Sequence, residues 1–359
     1  MLTINKSGVN EMNRTVNYAA GFILVWIVGN FLILGRGMLI PFFIALLIWN
    51  LLNTTNNVIQ KTPIIGAWLP GWLCKILSLL VVIMFVKILL DIITNNVNDV
   101  ISASTRYQEH LMQIFNNIDK HYRLKVLTSF NGFLDNLNLQ SVLVNIYGVF
   151  STIASSAILI ALYVAFLFVE QHFFKQKMSA LFPKEQHRHL ADSILAHILK
   201  DTQTYLGIKT LLSLIAAISS WIVMKSVGLD FAEFWALLIF FLNFIPNIGP
   251  ILATAFPASL ALIQFQNLFY FTIITSGIVI IQFIVGNVLE PRLLSKSLNL
   301  SPLVILFALA LWGSIWGIVG MFLSVPITVI MLIVFAHFEK TRPIAIFLSQ
   351  DGRVQKAYE

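Results

Sequence analysis

The stretch "FLNFIPNIGPILATAFP", residues 241–257, interrupts a helix inside a run without charge. No Lys, Arg, Asp or Glu occurs over residues 234–289, which is 56 residues. Proline removes a backbone donor and glycine favours bends. Each backbone N–H or C=O that loses its hydrogen bond in hydrocarbon costs several kcal/mol, unless protein or water supplies a new partner. The sequence therefore predicts a break that is buried in protein or lines a wet path. Four residues make this break: Pro246, Asn247, Gly249 and Pro250.

The composition indicates an integral membrane protein. Of the 359 residues, 58% are hydrophobic and only 11% are charged, whereas a soluble domain has about 25% charged residues. Charge-free segments recur along the chain, which favours one polytopic domain over two soluble domains. The single cysteine, Cys74, excludes an intrachain disulfide and a thiolate metal cluster, and it is interpreted as a packing residue.

Apolar segments of suitable length predict the membrane spans. About 20 apolar residues cross a hydrocarbon core of about 30 Å. The first such segment follows a polar N-terminus and lacks a small-residue cleavage site, so a retained span is predicted rather than a signal peptide. The candidate spans are 18–34, 38–52, 72–90, 147–169, 208–226 and 268–287.

Two further apolar regions, 231–264 and 302–336, are too long for one crossing. Each would make a straight helix of about 50 Å, whereas most of their halves are too short to cross alone. Broken helices or re-entrant hairpins fit both regions best. The predicted fold class is an all-α polytopic membrane protein with about seven to eight transmembrane helices, two broken or re-entrant helical hairpins and one amphipathic extramembrane helical segment.

The basic residues predict which side of the membrane each loop faces. With a cytoplasmic N-terminus and both long regions doubling back, 16 of the 23 Lys and Arg fall on the cytoplasmic side, which agrees with the positive-inside rule. The C-terminus is then cytoplasmic as well. Orientation thus explains the net charge of +7, and no nucleic-acid partner is expected.

The extramembrane segment carries an apolar stripe at helical spacing over 94–122. This pattern is typical of an amphipathic helix that either lies on its own membrane domain or contacts another subunit. A second amphipathic stretch, 184–206, predicts a helix at the cytoplasmic interface. The chain is predicted to have four parts: N-terminal spans (1–90), the extramembrane segment (91–146), a transport core (147–336) and a cytoplasmic tail (337–359).

Enzyme motifs are absent from the sequence. It contains no GxxxxGK[ST], HExxH or GxSxG pattern, so no ATPase, catalytic or metal site and no cofactor are expected. His187 and His189 are two residues apart, which places them on different faces of a helix rather than at one metal.

Uncharged polar residues around the break are candidates for a transport path. Helix ends and freed backbone groups at such breaks hold substrates or ions in secondary transporters, and amides could bind a small, neutral, hydroxyl-rich molecule. The alternative is that these side chains only fix helices to one another. The candidates are Asn243, Pro246, Asn247, Gly249, Pro250 and Thr254 at the break, and Thr275, Ser276, Gln282 and Asn287 on the next span.

Glu290 is the carboxylate of interest, and it lies at the inner end of a predicted span with Arg292 two residues later. It is interpreted as half of an ion pair with Arg292 or a nearby lysine, or else as a gating or proton-coupling group. A last set is interpreted as packing or hinge residues: Pro257, Pro291, Gly313, Gly317, Gly320 and Pro326.

Three blocks of sequence, in this order, resemble the autoinducer-2 exporter family of bacterial permeases. They are "FLNFIPNIGPILA" (241–253), "VGNVLEPRLLSKSLNLSPLVILFALALWGSIWGIVGMFLSVPIT" (285–328) and "RPIAIFLSQDG" (342–352). The resemblance implies an inner-membrane exporter of small molecules, with seven or eight spans, no ATP hydrolysis and a homo-oligomeric, pentameric state. Carried over by position, its motif residues are Asn243, Pro246, Asn247, Gly249, Pro250, Asn287, Glu290, Pro291, Arg292, Pro302, Gly313, Gly320 and Pro326.

Three functional hypotheses follow. The first is a secondary exporter of a small polar molecule, with autoinducer-2 implied by the likeness to the quorum-sensing-signal transport branch. The second is a sodium (or lithium)/proton antiporter, as some relatives are, which would use Glu290. The third is a membrane scaffold that transports nothing and organises partners through the helix at 94–122. The expected partners are the lipid bilayer, a small-molecule substrate and further copies of the chain.

Overall fold

A computed structural model describes residues 6–62, 70–88, 91–92, 107, 148, 151–294 and 299–353. All regular structure in these ranges is helical. A π-helix spans Ile284–Leu289. The helices are α1 (Lys6–Leu34), α2 (Arg36–Lys61), α3 (Gly71–Ile88), α4 (Ala157–Leu181), α5 (Glu185–Val227), α6 (Ala232–Leu242), α7 (Ile248–Phe265), α8 (Leu268–Phe283), α9 (Glu290–Leu294), α10 (Pro302–His337) and α11 (Arg342–Leu348).

Seven helical segments among the described residues are long and apolar enough to cross a membrane. Large apolar side chains face outward on them, such as Phe166 on α4 and Phe269 on α8, 61% and 65% exposed. A surface of this kind suits lipid rather than water. The predicted fold class, an all-α polytopic membrane protein, is confirmed. The seven segments are α2, α3, α4, α5, α7, α8 with its continuation to Leu294, and α10.

Helix α5 runs without interruption for 43 residues. The interface helix predicted at 184–206 is instead the first half of α5, continuous with the span that follows. No proline interrupts it, and its single glycine, Gly207, costs only about 1 kcal/mol relative to alanine. The helix ends at Gly228, whose φ of 81° is the left-handed conformation that commonly terminates helices.

Region 231–264 doubles back as predicted, and α6 with α7 forms what we call the first hairpin. Helix α6 has 11 residues, or about 16 Å of length, which is roughly half of a membrane crossing. At the open end, the Gln264 side chain accepts from the backbone N–H of Asp230 (2.8 Å) and donates to the carbonyl of Gly228 (3.0 Å). The chain therefore leaves the hairpin beside the point where it entered.

We expect Gln264→Leu to destabilise this open end, because it removes both hydrogen bonds. The loss should be about 1–3 kcal/mol, seen as a lower apparent melting temperature of the purified protein in detergent. Gln176→Leu is the matched control, since Gln176 is exposed and only its backbone carbonyl accepts a hydrogen bond. An equal shift in the two variants would contradict the role of Gln264.

Helix α10 also turns back, at Gly317, and forms what we call the second hairpin. Gly317 has φ 64° and ψ −141°, a conformation that other residues rarely adopt. A Cβ on Gly320 would overlap the carbonyl oxygen of Trp312 on the opposite arm. At the open end, the backbone N–H of Ser301 donates to the carbonyl of Leu348 (3.0 Å). The predicted break in 302–336 is confirmed.

The two hairpins approach each other from opposite ends of the second half of α5. The first hairpin opens beside Gly228, where α5 ends, and residues at the open end of the second share an apolar cluster with Tyr205. These two positions are about 35 Å apart along the helix. The inner parts of the hairpins meet where Phe244 packs on Phe322, with ring centroids 4.5 Å apart. The largest apolar core fills the space between α5, both arms of the first hairpin and α8.

Most of the extramembrane segment 91–146 lies outside the described residues, and so does nearly all of the helix predicted at 94–122. Tyr107 is described, and its hydroxyl donates to Oδ2 of Asp230 (2.9 Å), so this part of the segment contacts the open end of the first hairpin. Cys74 is fully buried, as expected of a packing residue. The division of the chain into four parts stays a prediction.

Candidate functional site

The tip of the first hairpin is a tight turn in which Asn247 and Ile248 are exposed and Gly249 is buried. The backbone N–H of Ile248 donates to the carbonyl of Pro246 at 2.6 Å, and Asn247 between them has φ 61° and ψ −49°. This is a γ-turn of the strained kind, which costs of order 1–3 kcal/mol. Gly249 allows the arms to meet, because a Cβ there would overlap the carbonyl oxygen of Leu242.

A buried lysine links this tip to α9. Lys209 on α5 is 5% exposed. Its Nζ lies 2.5 Å from Oε1 of Glu290 and 3.5 Å from the backbone carbonyl oxygen of Asn243. The carboxylate is the more accessible partner, with 31% of its side chain exposed. One ammonium thus joins α5, the tip of the first hairpin and the helix that follows the π-helix. We call these three residues the polar cluster.

Electrostatic interactions explain why the lysine is tolerated in this buried position. Asn243 ends α6, and the last carbonyls of a helix carry a partial negative charge that favours a cation. The Glu290 carboxylate supplies the full counter-charge. An ammonium buried without its partner would cost several kcal/mol, so the pair fixes the three elements relative to one another.

Several buried polar atoms on the same elements make no hydrogen bond to any described residue. They are both ends of the Asn243 side-chain amide and the hydroxyls of Tyr205 and Ser213. Tyr205, Lys209 and Ser213 follow one another at four-residue steps, so they share one face of α5. A buried donor or acceptor without a partner costs about 1–3 kcal/mol. These groups are therefore candidates for hydrogen bonds to a polar ligand.

The π-helix Ile284–Leu289 directs neighbouring side chains to different sides. A π-turn is wider than an α-turn and frequently marks a functional site. Gln282 before it is buried, and its Nε2 has no partner among the described residues. Asn287 within it is exposed and donates to the carbonyl of Phe283 (3.3 Å). Glu290 therefore faces the polar cluster while Asn287 faces away from it.

The structure brings together only part of the predicted transport path. Asn243 lies at the polar cluster, whereas Asn247 is exposed at the turn. The Thr254 hydroxyl donates to the carbonyl of Pro250 (2.9 Å), which is four residues earlier on the same helix. This bond joins no two helices, so the place of Thr254 in a transport path stays a prediction.

The ion pair predicted for Glu290 is present, and its partner is a lysine rather than Arg292. Arg292 is exposed and pairs with no carboxylate in the described ranges. Two residues apart on a helix, Glu290 and Arg292 point to different faces. Only the first of them faces Lys209.

The predicted packing and hinge residues occupy the turn of the second hairpin and the helix interiors. Gly317 forms that turn, and Gly320 permits its closest approach. A Cβ on Gly313 would come within 3.0 Å of Met321 on the opposite arm. These glycines thus allow close packing and a bend, as predicted. Three prolines of the set lie inside helices: Pro257 and Pro326, both buried, and Pro291, exposed.

Sequence reasoning misses Lys209, Tyr205 and Ser213. Lys209 stands near the end of a predicted span, where long side chains commonly reach the membrane interface. In the sequence it is therefore counted only among the basic residues that predict the orientation of the chain. The available signal is the four-residue spacing, which places a lysine and two hydroxyls on one face of an otherwise apolar helix.

Known proteins similar to this chain are transport proteins. Residues 22–340 match the family described as "AI-2E family transporter". The "AI-2 transport protein TqsA" of Escherichia coli (strain K12) is 27% identical over 316 residues, which cover 87% of this chain and 89% of that protein. A "Putative transport protein" of Borreliella burgdorferi is 34% identical over 251 residues, 67% of each chain. A protein of the same name from Haemophilus influenzae is 27% identical over 335 residues, 88% and 91% of the two chains.

The family match covers both hairpins and the whole polar cluster. It agrees with the seven apolar helices, which make the chain a multi-pass membrane protein. The relatives are named for transport rather than for an enzymatic reaction. The chain belongs to the AI-2E transporter family, and its role is membrane transport.

Proposed function

We propose that this chain is a secondary transporter that exports a small polar molecule without hydrolysing ATP. The observation that carries the proposal is the polar cluster at the tip of the first hairpin. The Lys209–Glu290 pair and the unpartnered amide of Asn243 lie together in an otherwise apolar molecule. Ionised and polar groups at membrane depth are costly, and they commonly mark the pathways of transporters.

Autoinducer-2 is the substrate that we propose first. The relative from Escherichia coli is named an AI-2 transport protein, and the polar cluster suits a neutral, hydroxyl-rich molecule. The charges of Lys209 and Glu290 balance each other. The remaining group of the cluster is the Asn243 amide, and the hydroxyls of Tyr205 and Ser213 lie on the same face of α5 as Lys209. Amides and hydroxyls form hydrogen bonds without carrying charge.

The arrangement of the hairpins supports alternating access. Because they open at opposite ends of the second half of α5, each tip can close a path from its own side. The Phe244–Phe322 contact lies where the two meet. Rocking of one unit against another around a fixed site is the usual mechanism of transporters with broken helices.

Inverted membrane vesicles test the substrate. Vesicles that contain the protein should accumulate labelled autoinducer-2 faster than vesicles without it. Equal uptake in the two preparations would reject autoinducer-2 as the exported molecule.

We expect Asn243→Ala to lower the initial export rate about fivefold or more at equal protein level. Lost hydrogen bonds of about 1–3 kcal/mol in the rate-limiting step correspond to such a factor. Asn287→Ala is the matched control, because that amide is exposed and bonds only within its own helix. It should change the rate less than about twofold. A folded Asn243→Ala protein with the wild-type rate would show that Asn243 only fixes helices.

A sodium/proton antiporter is the second candidate function, and the observation in its favour is Glu290, a carboxylate beside the helix break. This function predicts sodium- or lithium-dependent pH changes in vesicles that vanish in Glu290→Gln. We rank it second because Lys209 already balances the charge of Glu290. Export that continues unchanged when choline replaces sodium would count against it.

We further propose that the protein lies in the inner membrane with both termini in the cytoplasm, as a homo-oligomer that is a pentamer by family resemblance. Single cysteines at 248, 266 and 318, after replacement of Cys74, test the orientation. Each hairpin should be labelled from one side of the membrane only, and position 266 from the outside. The scaffold hypothesis depends on the helix at 94–122 and stays a prediction.

A further inference from the structure

We propose that Lys209 occupies a binding site for a monovalent alkali cation, so that its ammonium stands where a free ion would otherwise bind. This inference goes beyond the exported substrate and does not depend on its identity. It rests on the atoms around Nζ, which are oxygen acceptors from two different elements.

The oxygens that contact the ammonium are of the kind that bind alkali ions in transporters. One is the Glu290 carboxylate at 2.5 Å and the other is the backbone carbonyl of Asn243 at 3.5 Å. Asn243 ends α6 at the break of the first hairpin. Carbonyls at unwound backbone and at the C-terminal ends of half-helices are the groups that coordinate sodium in broken-helix transporters.

Two further oxygens on the same elements are buried and have no partner among the described residues. They are Oδ1 of Asn243 and the hydroxyl of Tyr205, in residues that are 7% and 2% exposed. Tyr205 lies one helical turn before Lys209 on α5. Removal of the lysine side chain would vacate the place of its ammonium between the Glu290 carboxylate and the Asn243 carbonyl, on the same elements that carry these two oxygens.

The charge of this site selects the class of ion. Its single carboxylate balances one positive charge, whereas sites for divalent cations usually gather several carboxylates. In the wild-type chain, Lys209 supplies that one charge from within. Other transporters bind and release a coupling ion during the transport cycle. In this protein, the making and breaking of the Lys209–Glu290 pair therefore replaces that step.

The thermal stability of the Lys209→Ala protein tests the proposal. In detergent, sodium chloride should raise its apparent Tm by roughly 2–4 °C over choline chloride at equal ionic strength, while the wild-type Tm should not respond. Lithium and potassium salts establish which alkali ion fits best. Lys209→Met is the matched control, because methionine also removes the charge but fills the space, and it should show no response.

Several results would overturn the proposal. Equal Tm values for Lys209→Ala in alkali and choline salts would do so, and so would an equal response in Lys209→Met or in Lys209→Ala/Glu290→Gln. If Lys209→Ala unfolds during purification, the recovered monodisperse fraction is compared between the two salts. A higher recovery in sodium supports the site, and equal recovery overturns it. Since no substrate is present, this outcome is independent of any export assay.

Discussion

Glu290→Gln is expected to abolish export and to destabilise the protein. The substitution leaves the Lys209 ammonium buried against the tip of the first hairpin without its counter-charge. Removing one partner of a buried pair costs about 3–5 kcal/mol. Because the carboxylate is 31% exposed, we expect roughly 2–4 kcal/mol here. Chemical or thermal unfolding in detergent measures the stability, and vesicle uptake measures export.

The double variant Lys209→Met/Glu290→Gln separates these two effects. It removes both charges together, so no buried ammonium remains, and most of the lost stability should return. Export should stay low, because the cluster has lost its ionised groups. Wild-type stability in the single Glu290→Gln variant would contradict the proposed burial of the pair.

Gly249→Ala is expected to prevent closure of the first hairpin. A Cβ at this position would overlap the carbonyl oxygen of Leu242, and this neighbour is backbone that cannot rotate away. The tip must then open, which should lower stability by about 3 kcal/mol or more. Export should fall to the level of empty vesicles, because the carbonyl of Asn243 would leave Lys209. Protein yield, apparent Tm and vesicle uptake together measure the effect.

Gly207→Ala is the matched control for this prediction. Gly207 lies in α5, and a Cβ on it would meet nothing within 4 Å. Alanine there should leave stability unchanged or raise it by up to about 1 kcal/mol, through its higher helix propensity. A Gly249→Ala protein that is as stable as Gly207→Ala would show that the arms of the hairpin do not meet as described.

The broken helices could be predicted from sequence because their cause is local. A region of about 50 Å of apolar helix cannot cross a membrane once without extreme tilt, and Pro246, Gly249 and Gly317 mark where the chain turns. The continuous helix α5 is the counterexample. Its polar first half predicts a separate surface helix. However, no proline ends the helix near residue 207, so the two parts form one continuous helix.

The polar cluster could be predicted only in part, because it depends on contacts between distant segments. Position relative to the break indicated Asn243, and position at a helix end indicated Glu290. Their connection through Lys209 needs the first hairpin to bring α6 beside α5, and the π-helix to direct Glu290 toward the same place. Neither the depth of the hairpin nor a π-turn has a reliable signal in one sequence. Arg292 is nearer to Glu290 in sequence, yet it faces elsewhere.

Cross-linking of cysteines at positions 230 and 264 tests most directly whether the chain doubles back. In a Cys74→Ala background, Asp230→Cys and Gln264→Cys should react within one chain with a short bis-maleimide. The structure brings the Asp230 backbone and the Gln264 side chain within 2.8 Å, and mass spectrometry of the linked peptides identifies the product. A mixture of the two single-cysteine proteins should give none. If region 231–264 were one straight helix, the two positions would be about 50 Å apart, and the absence of an intrachain cross-link in folded protein would contradict the hairpin.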